Sequence, residues 1–321
     1  MTPGRDDLSH IHRPVLVNEV LAHLAPEAQA PRLIVDGTVG LGGHAEAMLL
    51  AWPAARLLGL DRDPRALALA KKRLSRFGTR VRLFHASYED LGEVLEVANE
   101  REFDALLLDL GVSSLQLDEP SRGFSFRAQD AVADMRFDPE SGGPTAADLV
   151  NRLAEGALSN ILFEHGGERK ARAVARALVA ARPVRTIGSI ANAVRSVVRR
   201  DASGIDPATR TFQALRIAVN DEKGRLERGL AAGLEWAAPG ARIVVVSFHS
   251  GEERVVKEAL RAAEAAGKAR GLTKKPVRPT EHESRDNPRA KPARLRAIET
   301  ITVEGAEAAR GSKGSDGGRK T

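Results

Sequence analysis

Three carboxylates in this chain each close a short apolar run. Asp36 follows Leu33-Ile34-Val35, Asp61 follows Leu57-Leu58-Gly59-Leu60, and Asp109 follows Ala105-Leu106-Leu107-Leu108. A buried strand ending on an acid puts a charge at the mouth of a fold, where it can accept from hydroxyls or face a cation. Directly after Asp36 runs Gly37-Thr38-Val39-Gly40-Leu41-Gly42-Gly43-His44, a glycine-rich turn before a helical pattern. Glycines there let the backbone approach a ligand closely. Asp61 stands about twenty residues further on, the separation at which a second-strand carboxylate takes both hydroxyls of an adenosine ribose. The segment Phe103–Ser114 ends its apolar run on Asp109 and opens into a tight loop of small residues. Beyond it, Gln116-Leu117-Asp118, Arg122-Gly123-Phe124-Ser125-Phe126 and Asp134-Met135-Arg136 follow no regular period. Loops at strand ends that carry charged and aromatic groups are where binding residues usually sit.

A glycine turn and a ribose-binding acid suit a nicotinamide cofactor as well as S-adenosylmethionine (SAM). Three features favour SAM. Asp36 heads the turn, where it would repel a pyrophosphate but attract a cationic amino acid group. Asp109 adds a further carboxylate where the methyl group would lie. Pro239-Gly240 before the apolar run to Val246 suits the fifth strand of a SAM-dependent methyltransferase. Tyr88, just after the third apolar run, is placed either to stack on adenine or to pack as a half-buried strand-end aromatic.

The elements that must carry these residues alternate through the first third of the chain. Strands are predicted at Leu33–Val35, Leu57–Leu60, Val81–Phe84 and up to Asp109. Helices are predicted around Ala45–Leu50, from Pro64 with Leu67, Ala70 and Leu74 at helical spacing, and near Glu89–Val97. Such alternation makes a parallel sheet with helices on both faces, and such sheets bind ligands at the carboxyl ends of their strands. After about Ser121 the pattern changes, and 145–200 reads as helices. Ala171, Val174, Ala175, Leu178 and Val179 mark one face of a helix over Glu168–Arg182, with Arg169, Arg172 and Arg176 on another. Ile190, Val194, Val197 and Val198 repeat the arrangement. The sheet pattern resumes at Pro239–Ser247, with a helix from about Glu252 and a strand at Leu295–Val303. The expected fold is therefore α/β: a Rossmann-like sheet over 1–120 and 207–304, a helical insertion over 121–206, and a disordered basic tail over 305–321.

Composition excludes several chemistries. There is no cysteine, so no disulfide, thiolate–zinc site or cysteine nucleophile is available, and no metal is expected at the site. No apolar run is long enough to span a bilayer and the N-terminus has no signal core, so a cytoplasmic protein is expected. The net charge of +6 is uneven: Glu168–Arg200 holds nine Lys/Arg against one acid, and 266–321 holds fourteen against seven. Two basic segments on an acidic body point to a polyanionic partner, nucleic acid above all.

At this level of detail the chain resembles the bacterial ribosomal RNA small subunit methyltransferase H family, also called MraW. The resemblance rests on His12-Arg13-Pro14-Val15-Leu16 with Glu19-Val20-Leu21, Asp36 to His44, Leu60 to Pro64, Leu108 to Asp118, Arg122 to Phe126 and Ala133 to Arg136. It continues through Phe212 to Asn220, Ser247 to Ser250, Asn287 to Arg289 and Leu295-Arg296. It implies a discontinuous methyltransferase domain with a helical insertion, and transfer of a methyl group from SAM to N4 of a cytidine in the decoding region of 16S rRNA, with 16S rRNA, free or in the small ribosomal subunit, as the partner. By the same resemblance the SAM contacts fall on Gly42, Gly43, His44, Asp61, Tyr88, Asp109 and Gln116. Leu115, Lys223, Gly251 and Glu253 depart from the family's usual residues, and Tyr88 stands where Phe is more frequent.

The exocyclic amine of cytosine is a weak nucleophile because its lone pair is delocalised into the ring. A hydrogen-bond acceptor at that amine localises the pair, and no covalent adduct is needed. Asp109 is the catalytic candidate for the acceptor, with the backbone carbonyls of Leu110–Ser114 as the other; Asp109 could also serve SAM alone. Phe124, Phe126 and His249 are candidates to stack on an extruded base, against simple core packing for the two phenylalanines. Ser247 and His249 suggest a hydrolase pair but lack a third partner. The alternatives to N4 methylation are methylation of another RNA base and a nicotinamide-dependent oxidoreductase.

Overall fold

The computed structural model describes residues 14–25, 29–126, 128–200 and 204–301. His12, Arg13 and the predicted tail at 305–321 lie outside them. The chain divides into two compact units, one running up to Gly111 and again from Gly224, the other comprising Val112–Lys223.

The first unit is built on a seven-stranded sheet: β1 Leu33–Asp36, β2 Arg56–Asp61, β3 Val81–His85, β4 Phe103–Asp109, β5 Ala237–Ser247, β6 Ala269–Gly271 and β7 Arg294–Thr300. The strand order is β3-β2-β1-β4-β5-β7-β6. The five strands from β3 to β5 are parallel, and β7 pairs antiparallel to both β5 and β6. β1 is the first strand in the chain yet sits inside the sheet, with β2 on one side and β4 on the other. The order therefore reverses beside β1, and a crevice opens at such a reversal.

Period-two alternation decides what covers each face. Ile34, Leu57, Ala105, Leu107, Val244 and Val246 face one core, with Val20 and Leu24 of α1 (Val17–Leu24), Met48 and Leu49 of α2 (Gly43–Ala51) and Ala70 and Leu74 of α3 (Pro64–Leu74). Val35, Leu58, Leu60, Leu106, Leu108, Ile243 and Val245 face the other, with Leu91, Val94 and Leu95 of α4 (Leu91–Ala98). Local chemistry sets the helix starts. Asp63 caps α3 by accepting from Arg65 N, and Pro64 occupies the first turn, where its missing N–H costs nothing.

The second unit is helical, with α5 Ser114–Asp118, α6 Ala146–Arg152, α7 Glu155–Glu164, α8 Ala171–Ala180, α9 Ile187–Val197 and α10 Thr209–Asn220. Its core gathers Val150, Leu158, Leu162, Val174, Leu178, Ile190, Val194, Phe212 and Leu215. Phe212 and Leu215 belong to α10, which the sequence reading placed with the sheet; their apolar face packs among the helices, and the unit ends at Lys223. Asn220 closes this core. Its amide donates to the Met135 and Arg216 carbonyls and its oxygen accepts from Phe137 N. The chain returns to the sheet through α11 (Glu222–Glu235), whose Leu226 and Leu230 pack on the α4 face. After β5 come α12 (Ser250–Ala265) and α13 (Glu281–Asp286). Val255, Val256 and Leu260 of α12 join the same face.

Candidate active site

Alternation carries directly into the site. Asp36, Asp61 and Asp109 continue the parity of Ile34, Leu57 and Leu107, so all three acids leave their strands toward the side that carries α1, α2 and α3. Asp36 pairs in register with Gly59 and Leu107, two positions short of Asp61 and Asp109. It is consequently the deepest of the three, 1% exposed, while the other two are half-buried.

The turn after β1 ties the three strand tips together. Gly40 N donates to Asp61 Oδ2 at 2.8 Å, and Asp63 N donates to the other oxygen at 2.8 Å. The Asp109 N–H donates to Thr38 Oγ1 at 2.7 Å, and Thr38 N donates to Asp36 Oδ1 at 3.2 Å. Gly42 takes φ 78 to launch α2, a dihedral that a side chain would strain. Gly43 is small for another reason: a Cβ there would lie 3.1 Å from Pro14, which folds over the turn. His44 is buried at 6% exposure, with Nε2 2.8 Å from the Val15 carbonyl and Nδ1 3.4 Å from Asp109 Oδ2.

This concentration of acid is compensated only in part, by backbone N–H donors and by the charge of Arg62 near Asp61. Burial pushes the Asp36 carboxyl up to about 7, opposed by the Thr38 N–H and assisted by the charge of Asp61. Asp61 rises to about 6 for the same first reason, although N–H donors from Asp63 and Gly40 pull it down. Asp109 is raised well above the carboxylate range by burial and then by Asp36 and Glu252. Among the described residues, Asp36 Oδ2 and Asp109 Oδ1 are buried without a hydrogen-bond partner. Buried acids of this kind demand protons or a cation. A ligand with sulfonium and ammonium charges and a ribose diol satisfies that demand, so the donor set fits SAM.

Six of the seven expected cofactor residues, Gly42, Gly43, His44, Asp61, Tyr88 and Asp109, lie in the first unit around this turn. Gln116 belongs to the second, where it forms a reciprocal cap with Ser113. Tyr88 follows β3, its Cβ backing onto Gly37 and its ring edge resting on Gly229 of α11. A Cβ on Gly229 would fall 2.8 Å from Tyr88 Cε2, an overlap that a core cannot absorb without movement. Gly229→Ala is accordingly expected to displace the ring and weaken SAM binding about tenfold, read by calorimetry. Unchanged affinity would assign Tyr88 to packing alone.

The other candidate side chains take structural roles. Phe124 is 8% exposed and stacks on Phe137 at 5.7 Å, while Phe126 meets Phe212 edge-on at 5.7 Å, so both serve the helical core. His249 caps α12 by accepting at Nδ1 from Gly251 N and Glu252 N, and Nε2 lies 3.2 Å from Glu252 Oε1. Ser247 lies 3.3 Å from the Arg294 carbonyl and 3.4 Å from Glu253 Oε2, and its hydroxyl donates to these and not to His249. Glu253, one of the departures from the family pattern, pairs with Arg296 at 2.8 Å. Arg169 precedes α8, and Arg176 faces Glu155 at 3.6 Å. The sequence reading missed that Val15 and Glu283 matter to the site; no local signal joins residues so far apart in the chain.

Residues 9–301 match the model of the MraW methylase family. The chain belongs to that family. Its relatives include the ribosomal RNA small subunit methyltransferase H of Granulibacter bethesdensis, 44% identical over 91% of this chain and 92% of its own. The protein of the same name from Methylorubrum populi is 47% identical over 90% and 86%, and that from Methylobacterium nodulans 43% over 96% and 98%.

Proposed function

We propose that this protein transfers a methyl group from SAM to N4 of a cytidine in the decoding region of 16S rRNA, working in the cytoplasm on RNA of the small ribosomal subunit. The observation that carries the reading is the cluster of strand-tip acids around a glycine turn in a member of the MraW methylase family whose relatives are rRNA methyltransferases. Bound SAM supplies an electrophilic methyl group on sulfur. Asp61 accepts the ribose hydroxyls while its oxygens keep the turn in place through Gly40 and Asp63. Asp36 faces the cationic amino acid end. Tyr88 offers its ring to adenine. Asp109 presents Oδ1 as acceptor for the target amine, which localises the nitrogen lone pair and fixes the amine for in-line attack. No cysteine is needed because no ring adduct forms, which also disfavours C5 methylation of cytosine.

Mass spectrometry of 16S rRNA tests the assignment. Cells lacking the protein should lose N4-methylated cytidine at one decoding-region position, and the wild-type gene should restore it. A different lost modification would redirect the substrate reading. The helical unit supplies the phosphate-binding side. Arg169 and Arg172 are exposed on its surface, where cations bind backbone phosphate without reading sequence. Arg169→Glu with Arg172→Glu should weaken subunit binding about tenfold and flatten its salt dependence by about two ions, with SAM affinity unchanged. Wild-type binding at all salt concentrations would place the RNA elsewhere.

A further inference from the structure

His44 is held in one tautomer by its surroundings. A backbone carbonyl can only accept, so the contact of Nε2 with Val15 O at 2.8 Å puts a proton on Nε2. In the neutral ring Nδ1 is then a lone pair, and it faces Asp109 Oδ2 at 3.4 Å. Val15 is itself braced. The next residue, Leu16, is fully buried in a left-handed conformation at φ 56, and its N–H donates to Glu283 Oε1 at 2.7 Å. Strain of that kind at a buried leucine persists only where surrounding structure enforces it. Here it sits beside the carbonyl that orients His44. Asp109 thus has two differently placed oxygens. Oδ2 looks at a base, while Oδ1 is buried with no hydrogen-bond partner among the described residues.

We propose that Asp109 and His44 form a shared proton store for methyl transfer, in which His44 is the positioning residue and holds the second site. This rests on the methyl-transfer reading above. With no ligand the pair keeps one proton between Oδ2 and Nδ1. The groups facing Asp109 are His44 from α2, Asp36 from β1 and Glu252 from α12, so its other neighbours are acids that favour keeping that proton. Binding of a cationic methyl donor replaces the proton's charge, and the proton leaves to solvent. In the transfer, the amine lone pair forms the N–C bond, and the C–S bond breaks with its electron pair passing to sulfur. The nitrogen, now cationic, releases one proton to the vacant pair. Charge is thereby conserved in the pocket: one positive charge disappears at sulfur and one proton arrives between Asp109 and His44.

Calorimetry of SAM and of S-adenosylhomocysteine binding, each in two buffers of different ionisation heat at pH 7, tests the store without any RNA. The sulfonium ligand should release about one proton more than the thioether. Equal proton release would overturn the proposal whatever the methylation result. His44→Gln keeps a donor for Val15 and an acceptor for Asp109 but cannot take a proton. It should change the extra proton release measured at pH 7 and methylate small subunits about 10²-fold more slowly with a shifted pH midpoint. An unchanged pH midpoint and proton count in His44→Gln would make the histidine merely structural. Failure of methylation with the proton release intact would instead count against the RNA reading alone.

Discussion

Asp61→Ala should bind SAM at least about 10²-fold more weakly than wild type while keeping its fold. The side chain has two duties. It holds the glycine turn through Gly40 N and the start of α3 through Asp63 N, each at 2.8 Å, and it keeps lone pairs to accept a ribose diol. Hydrogen bonds to a charged acceptor are worth about 1.5–3 kcal/mol each, so losing two to the ribose costs about 10²- to 10⁴-fold in affinity. The unliganded protein should suffer little, because burial already holds this carboxyl near 6 and its removal relieves a desolvation cost. Calorimetric titration with SAM beside thermal unfolding separates the two effects. Affinity within threefold of wild type would sink the ribose assignment. The sign with pH is worked out the same way. The folded state, with Asp36 near 7 and Asp61 near 6, binds more protons between about pH 4 and 7 than the unfolded chain does. These groups therefore lower the stability of the unliganded protein as pH rises through that window, and a bound cation offsets the loss.

For Asp109 the largest effect falls on turnover. Asp109→Ala should slow methyl transfer by about 10³-fold or more, since it removes both the acceptor at Oδ1 and the partner of His44. Asp109→Asn should be milder, about 10²-fold. Its amide nitrogen can donate to His44 Nδ1 and its oxygen can still accept from the target amine, but it takes up no proton. Single-turnover kinetics on small subunits, with SAM at saturation, measures the step without product release. Wild-type rates for the alanine variant would remove Asp109 from the chemistry and leave the carbonyls beyond β4 as the acceptor. The thermal midpoint of both variants should stay level or rise, because an unpaired buried carboxylate oxygen is a cost to the fold.

Comparison of particular elements shows where local sequence is sufficient. The start of α3 was legible because a capping aspartate and an N1 proline act within one turn. So were the apolar set of α8, where Ala171, Val174, Ala175 and Leu178 are all buried, and the acids closing β1, β2 and β4. α10 was not. Its amphipathic pattern fits either unit equally well, and only the surfaces available to Phe212 and Leu215 decided that it packs among helices. Phe124 and Phe126 illustrate the same limit. An aromatic in an irregular segment can be core or base-stacking platform until its neighbours are known, and here the neighbours Phe137 and Phe212 make both phenylalanines core.

What the residues determined by themselves was a parallel sheet with acid-tipped strands around a glycine turn. Those features depend on backbone periods of two and 3.6, which a few neighbouring side chains impose. The tertiary structure alone decided that His44 turns away from solvent, bridges Val15 to Asp109, and leaves one oxygen of that acid without a partner. Those contacts join residues 29 and 65 positions apart, and such a meeting depends on how α1, α2 and β4 pack together, which no local pattern encodes.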